Sequence, residues 1–547
     1  MARAIAGSQG AFDLRPLPDR LAVAVLLVLA VVAAFTFRDY GLGWDDYTHA
    51  QYGDLLLRLY GSGFSDRRAL TFVNLYMYGG GFDMLAALAA KVLHFDLFET
   101  RRLMGAGVGL AGLVATWRTA RWVAGPIGGL VALALLATCP LYYGHMFMNP
   151  KDAPFAAAMA LLLLGLVRSF EEYPEVAPAT VALFGVGLGL TIGTRVIGGM
   201  AACYAAAGLA LVVAVEVRQG GTRRAAERAG RFILRLAPGL LIAYLVMGLV
   251  WPWSVLSPLN PLRSLEYFSV FFEKPWKEMF GGDLVPVPDM PPTYVPTLLA
   301  LKMPEIFLAL TLAGTALAFL AAARRDLPPP RRASLLMLAT AAVLPIAISV
   351  ATKPAMYNGI RHFLFVTPPL AVLGGLAGAR LLDWLRGRGG AAVAAGIALF
   401  AVGVASPVIE IARLHPYQYT HFNHIAGGIA GADDRYMLDY WGLSFKQAAE
   451  ALHAALAERH ETPPVGRPWK IAVCGPHPPA EVALGPDYVT TWNPKGADFA
   501  LMLGEFYCAH LDAPVLAEVE REGVVYAVAY DIRGRTVATL FTIPPVE

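Results

Sequence analysis

Gly79-Gly80-Gly81-Phe82-Asp83-Met84-Leu85-Ala86-Ala87-Leu88-Ala89-Ala90-Lys91-Val92-Leu93 is apolar enough to be read as a membrane helix, and the orientation of everything after it depends on whether it crosses. A spanning helix needs about 20 predominantly apolar residues. This run is shorter and carries Asp83 and Lys91. Longer apolar runs occur at residues 21–37, 101–120, 124–141, 152–168, 178–194, 197–215, 232–252, 296–321, 334–351, 360–380 and 390–410. Cytoplasmic loops of membrane proteins collect Lys and Arg. If 79–93 stays on one side, all the arginine-rich loops share the cytoplasmic face with the N-terminus: Arg118 and Arg121; Arg218 to Arg231; Arg324 to Arg332; Arg380 to Arg388. If it crosses, every later loop is inverted. The run is therefore read as an interfacial or re-entrant helix on the outer face.

The expected fold is a multi-span α-helical membrane protein of about eleven transmembrane helices with outer-face juxtamembrane helices, plus a small C-terminal α/β domain. Its parts are a cytoplasmic N-terminus at 1–20, a transmembrane domain at 21–410 and an outer-face domain at 411–547. Composition agrees. The 547 residues are 57% hydrophobic and 16% charged, against about 25% charged in soluble domains, and the mean hydropathy is +0.53. A net charge of +3, with no basic patch interleaved with aromatics, does not suit a nucleic-acid partner. Arg3, Arg15 and Arg20 precede the first run as in a signal anchor, and no small-residue cleavage site follows it. Of four cysteines, Cys139 and Cys203 lie in apolar runs. Cys474 and Cys508 lie in the polar C-terminal part, where an oxidising compartment would allow a disulfide.

Directly after the first run comes Gly43-Trp44-Asp45-Asp46-Tyr47-Thr48-His49-Ala50-Gln51-Tyr52. Charge this close to a bilayer is costly unless solvated or used. Asp46 reads either as the N-cap of a following helix or, with Asp45 and His49, as part of a working site. The other outer loops hold the remaining unusual residues. Asp152, after His145 and Lys151, opens a long apolar run as an N-cap, as a charge partner for a cation, or as both. Arg195, between two apolar runs, either snorkels or binds an anion. The loop 251–296 is rich in aromatics and proline, long for a connector, and suits a lid or binding element or an aromatic belt. It carries Glu273, Lys274, Trp276 and Lys277. Lys353 and Arg361 stand on the outer side against the usual charge bias, which favours a lipid phosphate.

These pieces together resemble the membrane glycosyltransferases of the C-type fold, in particular the branch containing protein O-mannosyltransferases and the aminoarabinose transferase of lipid A. The likeness rests on Asp45-Asp46 after the first span, on Asp152 opening a later helix, and on Arg361-His362-Phe363-Leu364-Phe365-Val366-Thr367-Pro368-Pro369. Two places depart from the pattern: Thr71 to Tyr76 has no basic residue, and the second acid of the pair is Asp rather than Glu. The resemblance implies a polyprenyl-phosphate-linked sugar as donor and inverting transfer to an acceptor hydroxyl at the outer face of a bacterial inner membrane. Asp46, Asp45 and Asp152 would be catalytic, with Asp46 or Asp45 as general base. Arg195, Lys353 and Arg361, with Lys274 and Lys277 behind them, would hold the lipid phosphate. His49, Tyr52, His145 and Trp276 would line the acceptor or sugar. Some members of the wider fold use a divalent cation, for which Asp45, Asp46 and Asp152 are the oxygen ligands at hand. The competing reading is a transporter or flippase, which would favour internal repeats and charge at the midplane; no clear repeat occurs, and the charges cluster on one face. A weaker third reading is a structural membrane partner for another enzyme.

After about Arg413 the pattern changes. His415, His421 and His424 lie in a ring-rich stretch that reads as a linker resting on the membrane rather than as a metal set. A helix is expected over 444–459, and strands over 470–474, 488–492, 499–503, 524–530 and 537–543.

Overall fold

The computed structural model describes residues 16–270 and 276–541. Arg3, Arg15, Glu273 and Lys274 fall outside these residues, as do the last two positions of the strand expected at 537–543.

The helical body matches the membrane fold class read from the sequence. Among the described residues nine helices are long and apolar enough to cross a membrane, and Pro178–Thr194 is a shorter apolar one. One of the nine, Leu97–Ala137, is divided by Gly125, whose φ of 74° and ψ of −176° are not helical. Gly125-Pro126 breaks the helix because only glycine takes this φ without strain and the residue before proline avoids the α region. The eleven apolar runs are thereby accounted for. The third run continues after a turn as Pro140–Met148. The run expected at 296–321 is corrected: Pro304 separates Tyr294–Lys302 from Glu305–Ala323.

The helix in the deciding stretch is only Gly81–Ala89. Nine residues at 1.5 Å each reach about 14 Å, under half of a hydrocarbon core. It packs beside Asp46–Gly61, the helix that follows the acid pair. Small residues let the helices close on one another, as the membrane interior requires. A Cβ on Gly187 would sit 2.7 Å from the Leu162 backbone, and one on Gly165 would sit 2.9 Å from that of Phe184. Asp152–Glu171 is thus enclosed, whereas Gly390–Arg413 lies at the periphery.

The described parts of the loop 251–296, residues 251–270 and 276–296, are structured. They contain the helix Asn260–Val270 and a hairpin of Lys277–Phe280 with Asp283–Pro286. The hairpin turns at Gly281-Gly282, both with positive φ, as a two-residue loop of matching twist demands. The C-terminal domain has the expected helix, Phe445–Glu458, and a mixed five-stranded sheet. In the order of the sheet its strands are Tyr488–Thr491, Trp469–Cys474, Phe499–Leu503, Val524–Asp531 and Val515–Arg521. The last of these was not anticipated. The strand expected at 537–543 is instead the short helix Val537–Leu540, which Thr536 caps. Cys474 and Cys508 form a disulfide.

Candidate active site

The two adjacent acids face different surroundings. Asp46, the first residue of its helix, is 1% exposed. Arg102 grips it with both Nη atoms, at 3.1 and 2.6 Å, and Gly43 N donates to it at 2.7 Å. Arg101 points to Asp83 at 2.7 Å, and Asp83 accepts or shares a proton with His49 Nδ1 at 2.6 Å. Burial raises the Asp83 carboxyl, but His49 and Arg101 outweigh it and hold the group below its ordinary value. Asp46, Asp83, Arg101, Arg102 and His49 therefore make one buried charge network beneath the acid motif.

Asp45 stands outside that network. Its side chain is 32% exposed and meets Lys151 Nζ at 3.3 Å. Partial burial pushes this carboxyl up, while Lys151, Arg361 and His49 pull it down to about 2. Asp152, at the start of its helix, is bonded by Arg195, by Arg361 at 3.2 Å and by Asn149 Nδ2 at 2.8 Å. The Lys151 ammonium and the Arg195 guanidinium both lie over the Tyr78 ring, at 5.0 and 5.7 Å. Arg361 lies between the rings of Tyr357 and Trp441, at 5.1 and 5.2 Å. Three cations thus surround two carboxylates at one end of the bundle. The Nε atoms of Arg195 and Arg361 are buried with no hydrogen-bond partner among the described residues.

The structure therefore brings together Asp45, Lys151, Asp152, Arg195 and Arg361. His145 joins them: its Nδ1 meets Asn149 at 3.2 Å, and burial pushes the ring down to about 3, so it is neutral. The other sequence candidates are placed elsewhere or more loosely. Tyr52 is buried against Phe72. Trp276 is half exposed and meets Tyr357 edge-on at 5.8 Å. Lys277 opens the hairpin on its exposed side. Lys353 ends Pro329–Thr352 in an exposed left-handed conformation, and among the described residues no ion pair ties it to the cluster. His415, His421 and His424 form no common ligand set: His415 meets Asp39, His424 meets Glu305, and the buried His421 ring has no hydrogen-bond partner among the described residues. Nor do Asp45, Asp46 and Asp152 form a cation cage. Each is neutralised by its own basic partner, and the described residues hold no group of three His, Cys, Asp or Glu suited to a metal.

Sequence reasoning missed Arg101, Arg102, Glu278, Tyr357 and Trp441. A signal existed for the arginines, because Arg101-Arg102 opens a span on the same end as Arg361, against the same charge bias. None existed for Glu278. It is buried in the hairpin and accepts from Asn358 N at 2.8 Å, Gly359 N at 3.1 Å and Tyr294 Oη at 2.9 Å. Burial raises its carboxyl. It fastens the hairpin to the turn just before Arg361.

No protein-family model matches the chain, and no curated protein matches it in sequence. Solved structures do. The chain is similar to ArnT from Cupriavidus metallidurans in the apo state, with 17% identity, a TM-score of 0.47, and coverage of 93% of this chain and 97% of that one. The same protein bound to undecaprenyl phosphate gives 16% identity and a TM-score of 0.45, with the same coverage of 93% and 97%. The Archaeoglobus fulgidus oligosaccharyltransferase in the apo form gives 12% identity and a TM-score of 0.50, covering 87% of this chain and 65% of that one. The chain has the C-type membrane glycosyltransferase fold. Within that class the helical body and the C-terminal sheet domain are both present.

Proposed function

We propose that the protein transfers a sugar from a polyprenyl-phosphate-linked donor to an acceptor hydroxyl, with inversion, at the outer face of a bacterial inner membrane. The observation that carries this reading is the cluster of Lys151, Arg195 and Arg361 beside Asp45 and Asp152, with two guanidinium Nε atoms unpartnered among the described residues. A cluster with more cations than anions, at a helix-bundle end, suits a phosphate monoester or diester anchored by a lipid.

Asp45 is the general base in this reading. It is the exposed member of the pair, whereas Asp46 is sequestered by Arg102. Held near 2 by Lys151, Asp45 is ionised but weakly basic. A donor phosphate that draws the Lys151 ammonium to itself restores basicity where the acceptor arrives. The acceptor proton passes to Asp45. The acceptor oxygen bonds the anomeric carbon as the bond from that carbon to the phosphate oxygen breaks, and the electron pair leaves with the lipid phosphate. Arg361, Arg195 and Lys151 stabilise the charge that develops there, as fixed dipoles and charges do in a water-poor site. Asp152 orients the two arginines. The Cys474–Cys508 disulfide supports an oxidising, periplasmic location for the C-terminal domain.

The test is native mass spectrometry of the full chain purified in detergent, followed by titration with undecaprenyl phosphate. A co-purified polyprenyl-phosphate lipid, and saturable binding that Arg361→Ala and Arg195→Ala abolish, is the expected result. A protein that binds no such lipid overturns the reading.

A further inference from the structure

Residues 438–444 of the C-terminal domain reach into the site, beside Tyr419, whose ring meets His145 at 5.9 Å. Three glycines in two separate site loops leave room for this segment. A Cβ on Gly41 would lie 2.2 Å from the Leu443 carbonyl oxygen, and one on Gly43 would lie 2.6 Å from Trp441 Cε3. A Cβ on Gly359, two residues before Arg361, would touch the Tyr440 ring at 3.4 Å. Trp441 is 1% exposed. One side of its indole fills the space above Gly43, and Arg361 lies 5.2 Å from its centroid. His145 meets it edge-on at 6.3 Å.

The segment is itself held stiffly. Asp439 accepts from Leu443 N and Ser444 N, both at 2.9 Å, and from the Tyr419 hydroxyl. Leu438 N donates to Glu505 at 3.0 Å. Gly442, at φ +72°, makes the turn after Trp441, where a Cβ would lie 2.6 Å from the Pro476 ring. A side chain packed this tightly against backbone on one side and a guanidinium on the other fixes their separation.

We propose that residues 438–444 are a positioning wedge: Trp441 sets Arg361 and the Asp45-Asp46 loop at one fixed spacing, so that the C-terminal domain completes the donor site without touching substrate. The assignment rests on the function proposed above for the choice of ligand, but the wedge itself is a statement about packing. Its indole face also holds the Arg361 guanidinium in the orientation that a phosphate needs, an interaction of the cation–π kind.

The experiment uses the full chain with Trp441→Ala, Trp441→Phe and Gly43→Ala. Undecaprenyl phosphate affinity is read by native mass spectrometry, and backbone hydrogen exchange is read in the peptides covering 41–46 and 356–362. Trp441→Ala is expected to weaken lipid-phosphate binding about tenfold and to speed exchange in both peptides. Trp441→Phe, which keeps an aromatic face for Arg361, is expected to restore affinity to within about twofold. Gly43→Ala pushes the same contact from the opposite side and is expected to speed exchange at 356–362, a segment outside its own loop. It keeps the test open if Trp441→Ala fails to fold. Wild-type affinity and wild-type exchange in Trp441→Ala, or unchanged 356–362 exchange in Gly43→Ala, overturns the wedge. If the wild-type chain binds no polyprenyl phosphate, the functional reading falls, and the exchange measurements alone decide the wedge.

Discussion

Adjacent identical side chains do different work at the acid pair. Asp46 neutralises a buried arginine, and Asp45 faces the cation cluster. Asp45→Asn is expected to cut transfer by about 10²–10⁴-fold while leaving lipid-phosphate binding in place, a split that turnover and binding assays measure separately. Asp46→Asn acts on the fold instead. It strands the Arg102 charge in a buried site, at a cost of about 3–5 kcal/mol, visible as a lower thermal midpoint in detergent. The sequence marked this pair as the place to look and put Asp46 first as the base, whereas Asp46 is buried against Arg102. What ranks them is Arg102, 56 residues away in the chain, and no local pattern announces such a partner. Lys302 was equally invisible. It is buried over the Phe422 ring, its ammonium held by the Tyr419 and His421 carbonyls at 3.2 and 3.3 Å, and burial lowers it to about 7. Between about 7 and its ordinary value of 10.5 the unfolded chain holds more protons than the folded one. Stability contributed by this group therefore rises with pH through that window. Thermal unfolding at pH 7 and pH 9 measures the slope, and Lys302→Met is expected to flatten it.

The element that most needed tertiary information is the hairpin 277–286. Proline and aromatic content marked its loop as ordered, but only the fold reveals that Glu278 buttons it to residues 358–359. Glu278→Ala leaves two backbone N–H groups without their acceptor, a loss of about 1–3 kcal/mol. Faster hydrogen exchange across 353–360 is the expected readout. Gly125-Pro126 and Pro304 both break helices; the expected runs 101–120 and 124–141 divide a few residues before the first, and the run 296–321 was read straight through the second. The strand Val515–Arg521 was missed because Glu518, Glu520 and Arg521 give it the look of a solvated loop. It is the sheet's outer strand, paired on one side only with Val524–Asp531, where such charges belong. The helix Val537–Leu540 carries β-branched residues that favour a strand in isolation, and the Thr536 cap outweighs them.

For the molecule as a whole, the deciding stretch was legible in its length, since the helix Gly81–Ala89 has nine residues; the charge count adds an orientation, which labelling tests. Leu85 lies on an exposed face of the short helix Gly81–Ala89. Leu85→Cys, in a chain with Cys139 and Cys203 replaced by Ser, is expected to react with an impermeant maleimide added to spheroplasts, and failure to label would invert every later loop. The disulfide spans 34 residues, for which loop-closure entropy gives about 3–4 kcal/mol. Cys474→Ser with Cys508→Ser is expected to leave the helical body intact by circular dichroism and to render the sheet domain sensitive to protease. Site residues were legible to the extent that each sits at a helix end of unusual charge. The contribution of residues 438–444 was not, because nothing in a polar C-terminal sequence says that it will be pressed into a bundle hundreds of residues earlier. That arrangement governs timing. Trp441 lies beyond Gly390–Arg413, the final apolar helix, and leaves the ribosome after every acid and arginine of the cluster. In the proposed reading a nascent chain inserts its acids and cations before the segment that spaces them has emerged, and export of residues 438–444 is the step that completes the donor site.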